Sequence, residues 1–187
     1  MPAADPVLLG RIREGDEAAF VALFQRYYDL LCAFARGYVR SADDAEEVVE
    51  DVFARLWTLR AQLDIRDSVK AYLYTATRNH ALNRLRHERI WSRWLRRRPP
   101  GDPAPGMSQP AIDTGEELAT SEFAAAIDAA VQGLPARCRQ VFTLHRQHGL
   151  TYAEIAAVMR VAPKTVENQL GRALRLLRAR LAPYFDE

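Results

Sequence analysis

The sequence predicts an all-α protein made of two small helical domains. Apolar residues recur at steps of three and four along most segments, which is the spacing of one buried face on a helix. No run shows the alternation or the clustering of β-branched residues expected of a strand. Between Pro99 and Gly115 there are five prolines and three glycines in seventeen residues, a composition that neither propagates a helix nor buries a core. We therefore expect a first domain at residues 1–96, a flexible linker at 97–117 and a second domain at 118–187.

Four helices are expected in the first domain. A short one covers Val7 to Arg13, and two amphipathic ones follow, with apolar stripes from Phe20 to Tyr38 and from Ala45 to Trp57. Each stripe would be buried against the other. A long helix from about Ser68 to Trp94 comes after the polar connection TLRAQLDIR.

The second domain begins with a helix that carries Phe123, Ile127 and Val131. Gly133 suits the end of that helix, and Pro135 suits the first turn of the next one, which carries the apolar-face residues Cys138, Val141, Phe142 and His145. Gly149 then ends this second helix. The chain has no other cysteine besides Cys32 and Cys138, and each lies within an apolar helical pattern, so core packing in a reducing compartment is expected.

The stretch TYAEIAAVMRVAPKTVENQLGRALRLLRARL predicts two helices joined by a tight turn. Thr151 and Glu154 have the spacing of a capping box, which starts the first helix. A break at residues 160–162 leads to Pro163, whose fixed φ suits the first turn of the second helix. This is helix-turn-helix geometry. Because the turn lacks glycine, we expect Met159 or Arg160 to adopt an unusual backbone angle.

The second of these helices has one apolar and one polar face. The expected buried stripe consists of Val166, Leu170, Leu174, Leu177 and Leu181. The residues expected to face outward are Lys164, Thr165, Glu167, Asn168, Gly171, Arg172 and Arg175. In a DNA-reading helix, Asn168 and Arg172 could contact base edges while Lys164 and Arg175 hold phosphates. The alternative is an amphipathic helix in an ordinary helical bundle.

Charge and hydropathy exclude several other classes of protein. The apolar runs are too short to span a bilayer, and the start MPAADP lacks the order of a signal peptide, so we expect a cytoplasmic protein without membrane insertion. The net charge of +2 is the sum of separate blocks: six acids and no base at 43–51, seven arginines at 84–98, and five bases at 164–180. Such segregation indicates that a protein and a nucleic acid bind at different surfaces, although solvated helix faces would give the same pattern. The four histidines form no recognisable metal or nucleophile pattern, so no cofactor, metal or enzymatic activity is expected.

Three blocks of the chain, in order, resemble a bacterial RNA polymerase sigma factor of the extracytoplasmic-function (ECF) class. The blocks are FVALFQRYYDLLCAFARGYVRSADDAEEVVEDVFARLW, VKAYLYTATRNHALNRLRHER and LPARCRQVFTLHRQHGLTYAEIAAVMRVAPKTVENQLGRALRLLR. The resemblance implies a region 2 helical bundle that binds core polymerase and opens the −10 promoter element. It also implies a region 4 helix-turn-helix that reads the −35 element and contacts the β flap.

Within the first block, DAEEVVEDVFARLW matches the family's core-binding segment, which docks on the β′ clamp helices. The resemblance therefore implies polymerase contacts at Asp43, Asp44, Glu47, Glu50, Asp51, Phe53 and Trp57. Four apolar residues of this segment are expected to contribute partly to the interface and partly to the core of the domain: Val48, Phe53, Leu56 and Trp57. Glu50 stands where the family often has glutamine.

The second block places a set of residues on one helix face that suits single-stranded DNA. An aromatic ring can stack on an unpaired base, amides can read a flipped base, and arginines can neutralise the strand. The members of this face are Tyr72, Thr75, Asn79, Asn83 and Arg86, and the neighbouring Arg84 is a further candidate for neutralising the strand. By resemblance, Asn79 and the loop at residues 63–67 hold a flipped −10 base, whereas Asn83 departs from the aspartate frequently found at its position.

In the third block, the seven outward residues from Lys164 to Arg175 match the helix that enters the −35 major groove. Glu167 lies where a basic residue is often seen, so the preferred −35 sequence is expected to differ.

The expected function is thus promoter-specific transcription initiation with core polymerase and promoter DNA as partners, and an anti-sigma factor is a further possible partner. Two alternatives stay open at the sequence level. One is a stand-alone helix-turn-helix regulator, and the other is a helical protein-interaction adaptor.

Overall fold

The computed structural model of the chain describes residues 4–65, 68–95 and 122–184. Within these ranges the chain forms eight α-helices and two short 3-10 turns and contains no strand, which confirms the predicted all-α class. Contacts divide the chain into two compact units, Met1–Ile112 and Asp113–Glu187. The predicted linker, residues 97–117, and both predicted domain boundaries lie outside the described residues.

Four helices build the first unit. They are α1 (Asp5–Arg13), α2 (Glu17–Ala35), α3 (Ala42–Thr58) and α4 (Val69–Leu95), with a 3-10 turn at Arg60–Gln62 after α3. Side-chain caps define two of the starts: Asp16 accepts a hydrogen bond from the amide of Ala19 at 3.0 Å, and Ser41 accepts one from the amide of Asp44 at 3.0 Å. These caps fix where α2 and α3 begin.

The core of the first unit lies where α2, α3 and α4 pack together. Its largest fully buried side chains include Leu23, Leu31, Leu56, Leu73 and Tyr74. The expected stripes of α2 and α3 therefore do face each other, and α4 covers them. Removing that apolar surface from water is the main stabilising contribution, at about 25 cal/mol per Å².

The second unit consists of α5 (Glu122–Gln132), α6 (Ala136–Arg146), α7 (Tyr152–Met159) and α8 (Pro163–Leu181). Cys138 and Ala173 are fully buried at the contact between α6 and α8. Arg180, near the end of α8, donates hydrogen bonds to the carbonyls of Ala130 and Gly133, both at 2.8 Å. These bonds fasten the end of α5 to the end of α8 and satisfy carbonyls that the helix itself leaves open.

Most expected helix ends agree with the observed ones to within a residue or two, but α2 ends at Ala35, three residues before the end of its expected stripe at Tyr38. Pro135 precedes α6 as its N-cap rather than lying in its first turn, and Gly149 has φ +60°, in the left-handed region that glycine favours. Both cysteines are free and buried, as expected for core residues.

Candidate functional site

A tight turn joins α7 to α8 without any glycine. Arg160 ends α7 with φ 56° and ψ 51°, the left-handed conformation predicted for Met159 or Arg160. The amide of Val161 then bonds to the carbonyl of Ala156 at 3.0 Å, which closes the end of α7. Pro163 is the first residue of α8. The helix-turn-helix geometry is therefore present.

The predicted capping box starts α7. The Glu154 carboxylate accepts from the amide of Thr151 at 2.8 Å, and the Thr151 hydroxyl accepts from the amide of Glu154 at 3.3 Å. Two amide groups that the helix start would leave unsatisfied thus have partners. This holds α7 as a rigid support behind α8.

The outward face of α8 carries all seven predicted residues. Thr165 is half-buried, and the other six are exposed: Lys164, Glu167, Asn168, Gly171, Arg172 and Arg175. At the start of the helix, the Lys164 ammonium lies 2.8 Å from the Glu167 carboxylate. Glu167 therefore compensates the cation nearest to the helix start.

The buried face of α8 differs from the predicted stripe at Leu174, which is exposed, and at Leu181, which is only half-buried against the core. Val166, Leu170, Ala173 and Leu177 are buried, whereas Leu174 is 40% exposed. The prediction for Leu174 was wrong because two successive steps of four carry Leu174 about 80° round the helix from Val166, whereas Ala173 lies only about 20° from Val166. Leu174 consequently adds an apolar patch beside the basic face.

A buried thiol also fixes α8 against α6. The Cys138 Sγ donates a hydrogen bond to the Gln169 side-chain oxygen at 3.0 Å. Gln169 is half-buried and lies next to Asn168 on the helix. This contact adds a polar link between α6 and α8, and the sequence pattern did not indicate it.

The predicted single-strand face of α4 lies beside the core stripe of that helix. Leu73, Thr77 and Ala81 are fully buried, and the predicted set flanks them. Within that set, Tyr72, Thr75, Asn79 and Arg84 are half-buried, whereas Asn83 and Arg86 are exposed. Burial raises the pKa of Tyr72, and nearby Arg55 partly opposes this, so the ring carries a neutral phenol at physiological pH. A half-buried neutral ring is a suitable platform for an unpaired base.

The acidic residues of α3 form a surface that is mostly open to solvent. Asp43, Glu47, Glu50 and Asp51 are exposed, and Asp44 is half-buried. We call these five residues the acidic surface. Because they lie within little more than two turns of one helix, they present a concentrated negative field to a basic partner.

The apolar residues predicted for the same interface lie mainly inside the unit. Phe53 is 2% exposed and makes edge contacts with Phe20 and Phe24, so it is a core residue. Val48 and Leu56 are buried as well. Trp57 is half-buried; it packs on Phe20, and the Arg60 guanidinium lies 4.4 Å from the centre of its ring. Trp57 thus retains an edge at the surface, whereas Phe53 does not.

Arg84 links the two predicted surfaces of the first unit. Its guanidinium lies 2.5 Å from Asp44 and 2.7 Å from Glu47, so a residue of the single-strand set is paired with two residues of the acidic surface. Burial alone would raise the pKa of Asp44, but the Ser41 hydroxyl and Arg84 outweigh it and hold that pKa below its ordinary value. Burial likewise opposes the charge on Arg84, and Glu47 and Asp44 outweigh it, so the pKa of Arg84 is raised.

A groove between α3 and α4 contains residues that the sequence did not single out. It is lined by Asp51, Arg55, Thr58, Leu59 and His80. Arg55 lies one helical turn after the predicted residue Asp51, and His80 directly follows the predicted residue Asn79. Their closeness to predicted residues was the signal by which the sequence could have identified them. Asp51 is a member of the acidic surface, so the groove and that surface share a residue.

The described residues contain neither a membrane-spanning helix nor a metal-binding cluster. Within the ranges that the structure covers, no helix is long and apolar enough to cross a membrane. In the same ranges, no three histidine, cysteine or acidic residues are grouped as metal ligands.

Comparison with known proteins assigns the two units. Residues 23–90 match the family model for sigma-70 region 2, and residues 124–177 match the model for sigma-70 region 4. Similar proteins include the ECF RNA polymerase sigma-E factors of Haemophilus influenzae and of Escherichia coli strain K12. Each is 26% identical over an alignment of 189 residues that covers 96% of this chain and 96% and 95% of the respective relative.

Solved structures share the fold. CnrH, solved in complex with the cytosolic domain of CnrY, has a TM-score of 0.63 at 24% identity, covering 99% of this chain and all of that chain. The sigma factor RpoE from Bartonella quintana, solved in complex with the anti-sigma factor NepR, has a TM-score of 0.58 at 23% identity, covering 87% and 96%.

With a region 2 bundle and a region 4 helix-turn-helix in one chain, the protein belongs to the sigma-70 family of transcription initiation factors. Within that family it is an ECF sigma factor. It therefore directs promoter-specific transcription initiation through RNA polymerase, and a stand-alone helix-turn-helix regulator is not favoured, because that alternative leaves the region 2 match at residues 23–90 unexplained.

Proposed function

We propose that three surfaces of this chain divide the work of promoter recognition. The exposed face of α8 reads the −35 duplex, the face of α4 from Tyr72 to Arg86 holds the melted −10 strand, and the acidic surface of α3 docks on the β′ clamp helices. The observation that carries this proposal is the separation of charge. The acids lie on a helix of the first unit, and the exposed basic residues of α8 lie in the second.

At the −35 element, α8 would enter the major groove with its first three turns. Asn168 and Arg172 are exposed one turn apart, so an amide and a guanidinium can reach adjacent base edges. Glu167 can accept from the N4 amino group of cytosine, but it already pairs with Lys164. Arg175 would hold a phosphate, and the second unit would also contact the β flap.

At the −10 element, Tyr72 would stack on an unpaired base, and Asn79 would read the edge of a flipped one. Both side chains are half-buried, so they are held in place before the strand arrives. The loop at residues 63–67, of which 66 and 67 lie outside the described residues, would complete the pocket. Asn83 offers an amide where an aspartate is frequent, so it can donate to a base as well as accept from it.

The acidic surface would supply the binding energy for polymerase. Asp43, Glu47, Glu50 and Asp51 are exposed and can pair with basic residues of the partner, and the surface edge of Trp57 can pack beside them. Phe53 is left out of this surface because its ring is buried.

We further propose that the protein acts in the cytoplasm, where it places polymerase without bond chemistry of its own. Because CnrH and RpoE were solved with CnrY and with the anti-sigma factor NepR, an anti-sigma factor is also proposed as a partner here.

The decisive experiment adds the purified chain to core polymerase and sequences the transcripts made from a genomic promoter library. We expect initiation at a small set of sites that share −10 and −35 elements. Absence of both core binding and initiation would contradict the proposal. A dimer that binds palindromes without polymerase would support the regulator alternative instead, and absence of salt-dependent DNA binding would support the adaptor.

A further inference from the structure

Arg84 lies on the helix proposed to hold the melted strand, yet its guanidinium is paired with two carboxylates of α3. We infer that Arg84 is a positioning residue for the polymerase contact: Asp44 anchors it, and it in turn holds the carboxylate of Glu47 towards the partner. It does not neutralise the DNA strand. This inference rests on the proposed role of the acidic surface.

Asp44 has the properties of an anchor rather than of a contact. One carboxylate oxygen accepts from the Ser41 hydroxyl at 2.6 Å, and the other accepts from Arg84 at 2.5 Å. The Asp44 side chain is only 21% exposed, and the amide of Asp44 is bonded to Ser41 at the start of α3. Since both oxygens have partners within the chain and little of the side chain is exposed, Asp44 is less accessible to a cation of the polymerase than Glu47 is.

Glu47 has the properties of the contact itself. Arg84 lies 2.7 Å from one of its oxygens, while 60% of the Glu47 side chain remains exposed, so the second oxygen is accessible from outside. A glutamate on a helix surface ordinarily samples several rotamers, so holding it in one rotamer on binding costs conformational entropy. The forked guanidinium of Arg84 removes part of that cost by holding the carboxylate before polymerase arrives.

Arg84 is correspondingly unsuited to phosphate. The positive charge is balanced by two negative ones, and only 30% of the Arg84 side chain is exposed. Arg86 provides the contrast, because it is exposed and follows on the same helix, about 200° further round. The two arginines therefore form a matched pair for an experiment.

The test uses the full chain with a fluorescent label at its N-terminus, titrated with core polymerase, and then the resulting holoenzyme titrated with promoter DNA over a range of salt concentrations. We expect Arg84→Gln to weaken core affinity about tenfold. The salt dependence of holoenzyme binding to promoter should stay unchanged. Arg86→Gln should show the reverse, with normal core affinity and a log-log salt slope lower by about 0.7, which corresponds to one lost contact on a single strand.

Two further variants separate positioning from a loss of folding. Glu47→Gln should weaken core affinity to a similar degree, and adding Arg84→Gln to it should cost little more, because both changes break the same contact. Arg84→Lys keeps the charge without the fork and should recover only part of the affinity. Circular dichroism of each variant checks that the helices are intact.

Arg84→Gln with normal core affinity and a reduced salt slope would overturn the inference and return Arg84 to the DNA face. So would fully additive effects of Arg84→Gln and Glu47→Gln. Failure of the proposed function would look different. Glu50→Gln and Asp51→Asn change acidic residues that do not involve Arg84, and if the acidic surface does not bind polymerase, these two variants would leave core affinity unchanged as well.

Discussion

At the scale of single residues, Arg160 shows how the helix-turn-helix is held without glycine. An L-residue in the left-handed region costs about 1 to 2 kcal/mol, and Arg160 adopts φ 56° and ψ 51°. The capping box before α7 and Pro163 after the turn determine both flanking helices, so the turn has little freedom to avoid that cost.

We predict that Arg160→Gly leaves the second unit more stable than Arg160→Ala by roughly 1 kcal/mol, because alanine keeps the backbone strain and glycine relieves it. Both variants lose the arginine side chain, so the comparison isolates the backbone. Hydrogen exchange of the α7 and α8 amides in the full chain measures the difference. Equal protection in the two variants would show that Arg160 is not strained.

At the scale of helices, the link from α4 to the start of α3 makes the first unit sensitive to acid. The pKa of Asp44 is lowered in the folded chain, so its carboxylate stabilises the fold at neutral pH. That contribution is complete above the ordinary value of 3.8 and is lost as pH falls through the lower folded value.

We therefore predict that Asp44→Asn lowers the free energy of unfolding by roughly 1.5 kcal/mol at pH 7 and that this deficit shrinks below about pH 4. Tryptophan fluorescence in urea, measured from pH 7 to pH 3, reports on the first unit, because Trp57, Trp91 and Trp94 all belong to it. Asp43→Asn, at the exposed neighbouring position, serves as the control and should change stability little. A deficit that does not vary with pH would contradict the role given to Asp44.

At the scale of the whole molecule, the side chains that we propose to read the two promoter elements belong to separately packed units. Asn79 belongs to the first unit and Asn168 to the second. Changes at independent sites add within about 0.5 kcal/mol, whereas residues that share partners do not.

We predict that Asn79→Ala and Asn168→Ala each weaken promoter binding by the holoenzyme by about 1 to 3 kcal/mol, that their effects add, and that core affinity stays normal in both. Binding to promoters with altered −10 or −35 bases assigns each residue, since Asn79→Ala should relax only −10 preference and Asn168→Ala only −35 preference. Loss of core affinity together with promoter binding would argue against both assignments.

The sequence was sufficient for most of the architecture because the determining signals are local. The capping box at Thr151 and Glu154, the proline that starts α8 and the apolar periods of α2 and α3 all act within a few residues. The location of the exposed α8 residues followed from the same periodicity. The burial of Leu174 was predicted wrongly because steps of three and four along a helix do not determine which of two adjacent residues, Ala173 or Leu174, faces the core.

The sequence by itself determined the all-α class, the helix-turn-helix and the two charged surfaces, since these depend on local propensity, capping and helical period. Tertiary packing decided which of the predicted residues are exposed on those surfaces and which are paired or buried. Arg84 pairs with Asp44 across 40 positions of sequence, and Phe53 turns into the core where Phe20 and Phe24 meet it. Such pairings depend on which helix faces which, and the period of a single helix carries no information about its neighbour.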